Sequence, residues 1–295
     1  MTLTTSLPAG LVPGGRFDEW QPAAVSYVVC DVDGTLIGPA ALATGEVVAA
    51  IGRAQEAGLR VGYATGRMRD GVRDLQAQLG ASGPHVLHNG AEVRHNGTTV
   101  ARWALTHDQV DALLALARER DDLYLEVYGE SGFHVSSRDE RARPHWDLLR
   151  AEPLGVLERA ADLGDTPVPK ATFALFSDEA LPWLQARLAG LDVETGTAGS
   201  PRIPRMLFTN VNQPGATKGA AITAAASHLG LELEQIAAIG DAGNDRSMLA
   251  VVGTAIAMGQ AEPEIREAAH LVTRSVDEDG VATALDALRT WAAAR

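Results

Sequence analysis

Short apolar segments alternate with segments of helical periodicity in the first part of this chain. AVSYVVC, LRVGYAT and HVLHNG (24–30, 59–65 and 85–90) are strand-like, and helical patterns lie between them at 44–58 and 69–80. Apolar runs of this kind are typical of strands buried on both faces of a sheet. The order strand, helix, strand, helix requires crossover connections between parallel neighbours. The pattern therefore predicts an α/β fold built on a parallel sheet.

The pattern changes near Trp103 and returns at Gly215. Between them, LYLEVYG and GFHVSS (123–129 and 132–137) are alternating segments joined by a glycine-containing turn, which is typical of an antiparallel hairpin. Further strand-like and helical segments follow, but residues 138–170 show no pattern that we can assign. This middle part predicts a second, α+β unit.

The simplest organisation is one core domain interrupted by an insertion. We predict a flexible leader over 1–24, a core domain formed by 25–103 and 212–295, and an inserted α+β domain over 104–211.

Composition and charge limit the class of protein. Hydrophobic residues make up 46% and charged residues 21% of the 295 residues, as in ordinary globular proteins. The net charge of −13 argues against binding to nucleic acid or to an acidic membrane surface, although a small anionic substrate remains compatible with it. Cys30 is the single cysteine, which fits a reducing compartment, and we find neither a secretory signal nor a membrane span in the sequence. We therefore expect a cytoplasmic enzyme.

Polar residues follow several of the predicted core strands or open the helices after them. They are Asp31 and Asp33, Thr65 and Gly66, Lys218, and the segment Asp241–Asp245. Ligands of parallel sheets collect beyond the carboxyl ends of the strands, so these residues are candidates for one site. Two carboxylates held close together repel each other unless a cation or a shared proton lies between them.

Each of these segments also has a simpler interpretation. Asp33 with Gly34 can be a turn after a buried strand, and Lys218 can be a surface lysine. Thr65 and the acids of the later segment can be helix caps. A calcium loop of the EF-hand type does not fit, because it needs its glycine at position 6 and Gly34 is at position 4. The convergence of four segments on one sheet edge favours a site.

Together, DVDGT, ATGR, ATKG and GDAGNDRSML resemble the motifs of the haloacid dehalogenase (HAD) superfamily, in its Cof-like branch of class IIB capped phosphatases. The likeness continues through TAIAMGQAEPEIREAAHLVTRSVDEDGVATAL and covers the chain from about residue 25 onward. The resemblance implies a Rossmann-like core with an inserted α+β cap domain. It also implies a phosphatase that needs Mg²⁺, forms an aspartyl-phosphate and acts on a small phosphomonoester such as a sugar phosphate.

The resemblance implies roles for the aspartates. Asp31 would be the nucleophile, and Asp33 would protonate the leaving oxygen and later deprotonate water. For Mg²⁺, Asp31 and Asp241 would supply carboxylate oxygens and Asp33 its backbone carbonyl, with Asp245 in support.

The phosphate group would be held by the remaining motif residues. These are Thr65, Gly66, Lys218 and Asn244. Arg67 can contact substrate or form a surface ion pair, and both remain open. Gln260 stands where Cof-like chains commonly have Asn, which implies a changed loop contact.

Residues of the inserted domain carry weaker signals. Lys170, Arg138 and His134 can face a cleft, but we expect each to be a solvated side chain.

Other activities compete with the phosphatase. A dehalogenase would not be expected to keep Asp33. A sensor that binds a phosphorylated metabolite without turnover could lose Asp31 or Asp33, and this chain has both. A phosphomutase would keep all four motifs. The sequence predicts neither the substrate's identity nor the oligomeric state.

Overall fold

The computed structural model describes residues 7–21, 23–39, 42–200 and 203–293. The chain divides into two compact units. The core unit consists of Met1–Arg67, Val72–Ala101 and Thr217–Arg295, and the inserted unit of Met68–Gly71 and Arg102–Ala216. The long segment of the inserted unit thus begins after residue 101 and ends at residue 216, where the sequence predicts junctions after residues 103 and 211.

The strands and helices are numbered here in chain order. The strands are β1 (Val12–Pro13), β2 (Tyr27–Asp31), β3 (Arg60–Ala64), β4 (His85–Leu87), β5 (Glu92–His95), β6 (Thr98–Arg102), β7 (Leu123–Gly129), β8 (Gly132–Val135), β9 (Lys170–Leu175), β10 (Glu194–Ser200), β11 (Ile203–Asn212), β12 (Ile236–Gly240), β13 (Thr254–Ala257) and β14 (Leu271–Val272). The helices are α1 (Gly45–Glu56), α2 (Arg73–Leu79), α3 (His107–Arg118), α4 (Arg143–Leu149), α5 (Ala180–Leu188), α6 (Lys218–Leu229), α7 (Arg246–Val251), α8 (Pro263–Ala268) and α9 (Gly280–Ala293).

Within the described residues, the core unit is built on a nine-stranded sheet of order β1-β14-β13-β12-β2-β3-β4-β5-β6. All pairs from β14 to β4 are parallel, whereas β1 pairs antiparallel with β14 and β5 pairs antiparallel with β4. Every residue of β2 and of β12 is buried, because both strands lie inside the sheet and are covered on both faces. The predicted α/β class with a parallel sheet is confirmed.

Local capping sets where the core helices begin and end. The Thr44 hydroxyl accepts a hydrogen bond from the Val47 amide at 3.2 Å and begins α1, and Gly80 ends α2 in the left-handed conformation. The Thr217 hydroxyl accepts from the Ala220 amide at 3.1 Å. This cap makes Lys218 the first residue of α6.

The first described residues belong to the core unit's fold. β1 extends the sheet at β14, Leu11 and Trp20 are buried, and the Trp20 indole donates to the Thr254 hydroxyl at 3.2 Å. These contacts correct the expected flexible leader, as far as residues 7–21 are concerned, because β14 offers that segment an edge to pair with. Residues 1–6 and 22 lie outside the described residues.

The inserted unit has an antiparallel sheet of order β10-β11-β9-β7-β8. The predicted hairpin of β7 and β8 is confirmed. Side chains of α3 and α5 share one apolar cluster with one face of the sheet, whereas Trp146 of α4 packs with Tyr124 and Phe208 of the other face. The unit therefore has a core of its own.

Two features of the inserted unit differ from expectation. Residues 138–170 contain α4, whose helical pattern is too short to be recognised in the sequence. Lys170, expected to be solvated, is only 7% exposed, and its ammonium lies 4.3 Å from the centre of the Tyr128 ring. Burial lowers the pKa of Lys170 to about 8. Arg138 is exposed and His134 is half-buried.

In the described part of the chain, no helix has both the length and the apolar character that crossing a bilayer requires.

Candidate active site

Asp31 is the last residue of β2 and is only 4% exposed. β2 pairs in parallel with β12 on one side and with β3 on the other, so the segments after these strands leave the sheet at the same edge. Burial, followed by the nearby Asp245 carboxylate, holds the pKa of Asp31 well above its usual value. An anionic carboxylate here therefore needs positive charge close by.

Lys218 supplies one such charge. Its buried ammonium donates to Asp31 Oδ1 at 2.5 Å and to Asp245 Oδ1 at 2.6 Å. Burial alone would lower the pKa of Lys218, but the two carboxylates outweigh it and raise that pKa above its ordinary value. The surface-lysine interpretation is thereby excluded. α6 thus places a cation between Asp31 at the end of β2 and Asp245 in the segment after β12.

Asp245 uses both of its carboxylate oxygens within the protein. Oδ1 accepts from Lys218, and Oδ2 accepts from the backbone amides of Asp241 and Ala242 at 3.0 and 3.1 Å. This side chain is fully buried. It therefore shapes the loop after β12 as well as holding the lysine.

Asp241 lies half-buried in that loop. Its Oδ1 accepts from the Thr35 hydroxyl at 3.1 Å. Burial, and then repulsion by Asp245, raise its pKa to about 6. Gly34 has φ of +92°, and a Cβ at that position would lie 2.2 Å from Asp241 Oδ2, so a side chain there would displace the carboxylate.

The donor set fits a hard divalent cation. Asp31, Asp241 and Asp245 each offer one carboxylate oxygen, and these oxygens lie within 4.8 Å of one another. The three acids outnumber the single ammonium of Lys218, which leaves excess negative charge in a largely buried place. Oxygen-only ligands of this kind suit Mg²⁺ better than softer metals.

Asp33 lies apart from these three acids and is 59% exposed. Its carboxylate accepts from Arg67 Nε at 2.9 Å and from Arg67 Nη2 at 2.5 Å. Of the two roles left open for Arg67, the structure thus shows an ion pair, with Asp33 as the partner.

The segment after β3 holds Thr65 and Gly66. Thr65 is buried, its amide donates to the Val86 carbonyl at 2.9 Å, and its hydroxyl accepts from the Arg67 amide at 3.2 Å. A Cβ on Gly66 would lie 2.7 Å from Asn89 Oδ1. The sequence pattern predicts HVLHNG (85–90) only as a strand-like segment, and Asn89 is not among the predicted site residues.

Asn244 is exposed, and its amide donates to Asn89 Oδ1 at 3.4 Å. It therefore lies near the turn that packs on the Thr65 segment.

Gln260 connects two loops at the site. Its amide nitrogen donates to the Gly34 carbonyl at 2.6 Å, and its amide oxygen accepts from the Val276 amide at 2.9 Å. The residue that departs from the Cof-like pattern thus restrains the DVDGT segment directly.

A parallel sheet that carries a buried aspartate on a central strand, with a lysine and two further aspartates from later loops, defines a class of hydrolases. Residues 28–285 match the family model of haloacid dehalogenase-like hydrolases, and the chain belongs to that family. The resemblance seen in the sequence is confirmed. The chain is a phosphoric monoester hydrolase of this family.

Similar proteins are named as phosphatases. The chain is 29% identical over 285 residues to "5-amino-6-(5-phospho-D-ribitylamino)uracil phosphatase YwtE" of Bacillus subtilis (strain 168), with 88% of this chain and 97% of the relative covered. It is 28% identical over 244 residues to "HMP-PP phosphatase" of Enterobacter sp. (strain 638), with 82% of this chain and 87% of the relative covered. The solved structure of BT4131, an HAD subclass IIB sugar phosphatase, is 25% identical with a TM-score of 0.73 and covers 88% of this chain and 97% of that one.

Proposed function

We propose that this protein is a Mg²⁺-dependent phosphatase that hydrolyses a small phosphomonoester, a sugar phosphate or a similar metabolite, through an aspartyl-phosphate. The observation that carries the proposal is the buried Lys218 ammonium bonded to Asp31 and Asp245, with Asp241 beside them. The substrates in the names of the relatives differ from one another but are all small phosphorylated molecules. They support the substrate class and no single compound.

In the first half-reaction, an oxygen of Asp31 attacks phosphorus. The new P–O bond forms as the ester P–O bond breaks, and Asp33 gives its proton to the leaving oxygen. Asp33 is exposed, and it releases Arg67 to carry the proton to the leaving oxygen. Asp33 then takes a proton from the water that attacks the aspartyl-phosphate, which releases inorganic phosphate and restores Asp31.

The remaining site residues hold the phosphate group and balance the negative charge of the site. Lys218 keeps Asp31 anionic in a buried place and neutralises charge that spreads over the phosphate oxygens. We assign phosphate contacts to Thr65, the backbone at Gly66, and the Asn244 amide. Asp31, Asp241 and the backbone carbonyl of Asp33 would hold Mg²⁺, with Asp245 beside them, and the bound ion would offset the charge of the acids and of the phosphate.

The test is phosphate release from a panel of phosphomonoesters with Mg²⁺ and with a chelator. We expect release that requires Mg²⁺ and is abolished in Asp31→Asn, and a phosphorylated protein detected by mass spectrometry after rapid acid quench. A protein that binds these esters without turnover would be a sensor. Phosphoryl return to the sugar in the presence of a bisphosphate activator would identify a mutase.

We further propose that the enzyme works in the cytoplasm on a freely diffusing metabolite, without a nucleic-acid or membrane partner. The single cysteine Cys30 and the net charge of −13 support this.

A further inference from the structure

The turn after β4 has an unusual backbone. His88, Asn89 and Gly90 have φ values of 53°, 59° and 112°, and two of these three residues are not glycine. L-residues adopt the left-handed region at a cost, and such conformations concentrate at functional sites. The surroundings of this turn must therefore hold it in place.

Backbone contacts tie the turn to two segments of the proposed phosphate site. The Asn89 amide donates to the Thr65 carbonyl at 2.9 Å, and the His88 amide donates to the Arg67 carbonyl at 3.1 Å. A Cβ on Gly90 would lie 2.2 Å from the carbonyl carbon of Thr217, so the turn also packs directly on the start of α6. It thus lies between the Thr65 segment and the helix that begins with Lys218.

The Asn89 side chain reaches a third segment. Its Oδ1 accepts the hydrogen bond of the Asn244 amide at 3.4 Å. For the part of the chain that the structure describes, this is the hydrogen bond that restrains the Asn244 side chain, which is otherwise exposed. An unrestrained amide would lose rotamer freedom on binding a phosphate oxygen.

We propose that Asn89 is a positioning residue for phosphate, acting through Asn244. Asn89 Oδ1 accepts one N–H of the Asn244 amide and leaves the second N–H for a phosphate oxygen. This rests on the proposed function, in which Asn244 contacts phosphate. The alternative is that Asn89 is present only because asparagine tolerates the left-handed conformation.

Asn89→Gly separates the two explanations, because glycine keeps the backbone conformation and removes only the side chain. Four proteins are compared: wild type, Asn89→Gly, Asn244→Ala and the double variant. Inorganic phosphate binding is measured by calorimetry with MgCl₂, alongside kcat/KM on the best ester and thermal unfolding. We expect Asn89→Gly to weaken phosphate binding about fivefold in the wild-type background, equivalent to about 1 kcal/mol, with Tm unchanged or higher. In the Asn244→Ala background the same change should have less than about a twofold effect.

Asn96→Gly is the matched control. Asn96 also has a left-handed φ, of 49°, but lies in the exposed turn between β5 and β6. The Asn96→Gly substitution should leave phosphate binding unchanged. Equal weakening by Asn89→Gly in both backgrounds, or no weakening, would overturn the role of Asn89. If the protein binds phosphate but turns over no ester, the proposed function is wrong. The comparison of Asn89→Gly in the wild-type and Asn244→Ala backgrounds would still decide the role of Asn89.

Discussion

Gly34 shows how one residue decides the geometry of the acids. The left-handed φ of +92° and the close approach to Asp241 both require a residue without a side chain. Gly58 has nearly the same conformation, with φ of +90°, but nothing lies within 4 Å of its virtual Cβ. Substitution of each glycine therefore causes similar backbone strain, but only substitution of Gly34 also displaces Asp241.

We expect Gly34→Ala and Gly58→Ala each to lower the free energy of unfolding by about 1–2 kcal/mol. Only Gly34→Ala should also lower kcat/KM, by about 100-fold, and raise the Mg²⁺ concentration needed for half-maximal activity. Steady-state kinetics against Mg²⁺ and urea unfolding give both quantities. Normal Mg²⁺ activation in Gly34→Ala would show that Asp241 is not displaced.

His85 gives the core unit a pH dependence. It stacks on Tyr63 with ring centres 4.1 Å apart, and burial, followed by the charge of His95, lowers its pKa from 6.5 to about 4. Between pH 6.5 and about pH 4, His85 is protonated in the unfolded chain and neutral in the folded protein. The free energy of unfolding therefore rises with pH across this range and falls as the pH decreases through it. The full effect is about 3 kcal/mol.

We expect His85→Gln to flatten the difference in unfolding free energy between pH 7 and pH 5, because glutamine does not titrate. Urea unfolding at both pH values measures this. His107→Gln, at an exposed position, should keep the wild-type difference. An unchanged pH difference in His85→Gln would mean that other groups cause it.

At the scale of elements, β1 and the turn that follows it close the edge of the core sheet at β14. Trp20 is 7% exposed and donates to Thr254, so Trp20→Ala removes a large buried side chain together with the partner of a buried hydroxyl. We expect a loss of about 3 kcal/mol in the free energy of unfolding. Val12→Ala, in the same segment but 55% exposed, should cost less than about 0.5 kcal/mol. An unchanged urea midpoint in Trp20→Ala would support the original prediction that this segment is a flexible leader.

Elements with a strong local pattern match their predictions, and weak ones do not. The helical pattern at 44–58 corresponds to α1, which spans Gly45–Glu56 and begins at the Thr44 cap. α4 has only seven residues, and the periodicity of so short a segment carries little information. Lys170 begins β9, which pairs on both sides, and that placement buries a residue that the sequence alone describes as polar.

At the scale of the whole molecule, the charge of the site affects the stability of the chain. Asp31→Asn removes one of three clustered acids and should raise Tm in metal-free buffer by about 3 °C. Mg²⁺ should raise Tm of the wild type by binding the folded state, and should raise it less in Asp31→Asn. Calorimetric scans with and without Mg²⁺ measure both effects. Asp165→Asn makes the same change in net charge at an exposed position and should reproduce neither the higher Tm nor the smaller effect of Mg²⁺. A lower Tm in Asp31→Asn would contradict repulsion among the acids.

The sequence by itself determined the α/β class, the parallel sheet and the family, because each depends on local periodicity or on short motifs. The roles of the site residues stay predictions. Only the tertiary structure decided that Lys218 lies buried between two acids, that Arg67 pairs with Asp33, and that Asn89 restrains Asn244. These contacts join residues that are distant along the chain, so their distances and burial depend on how the segments pack and are not encoded in any one segment.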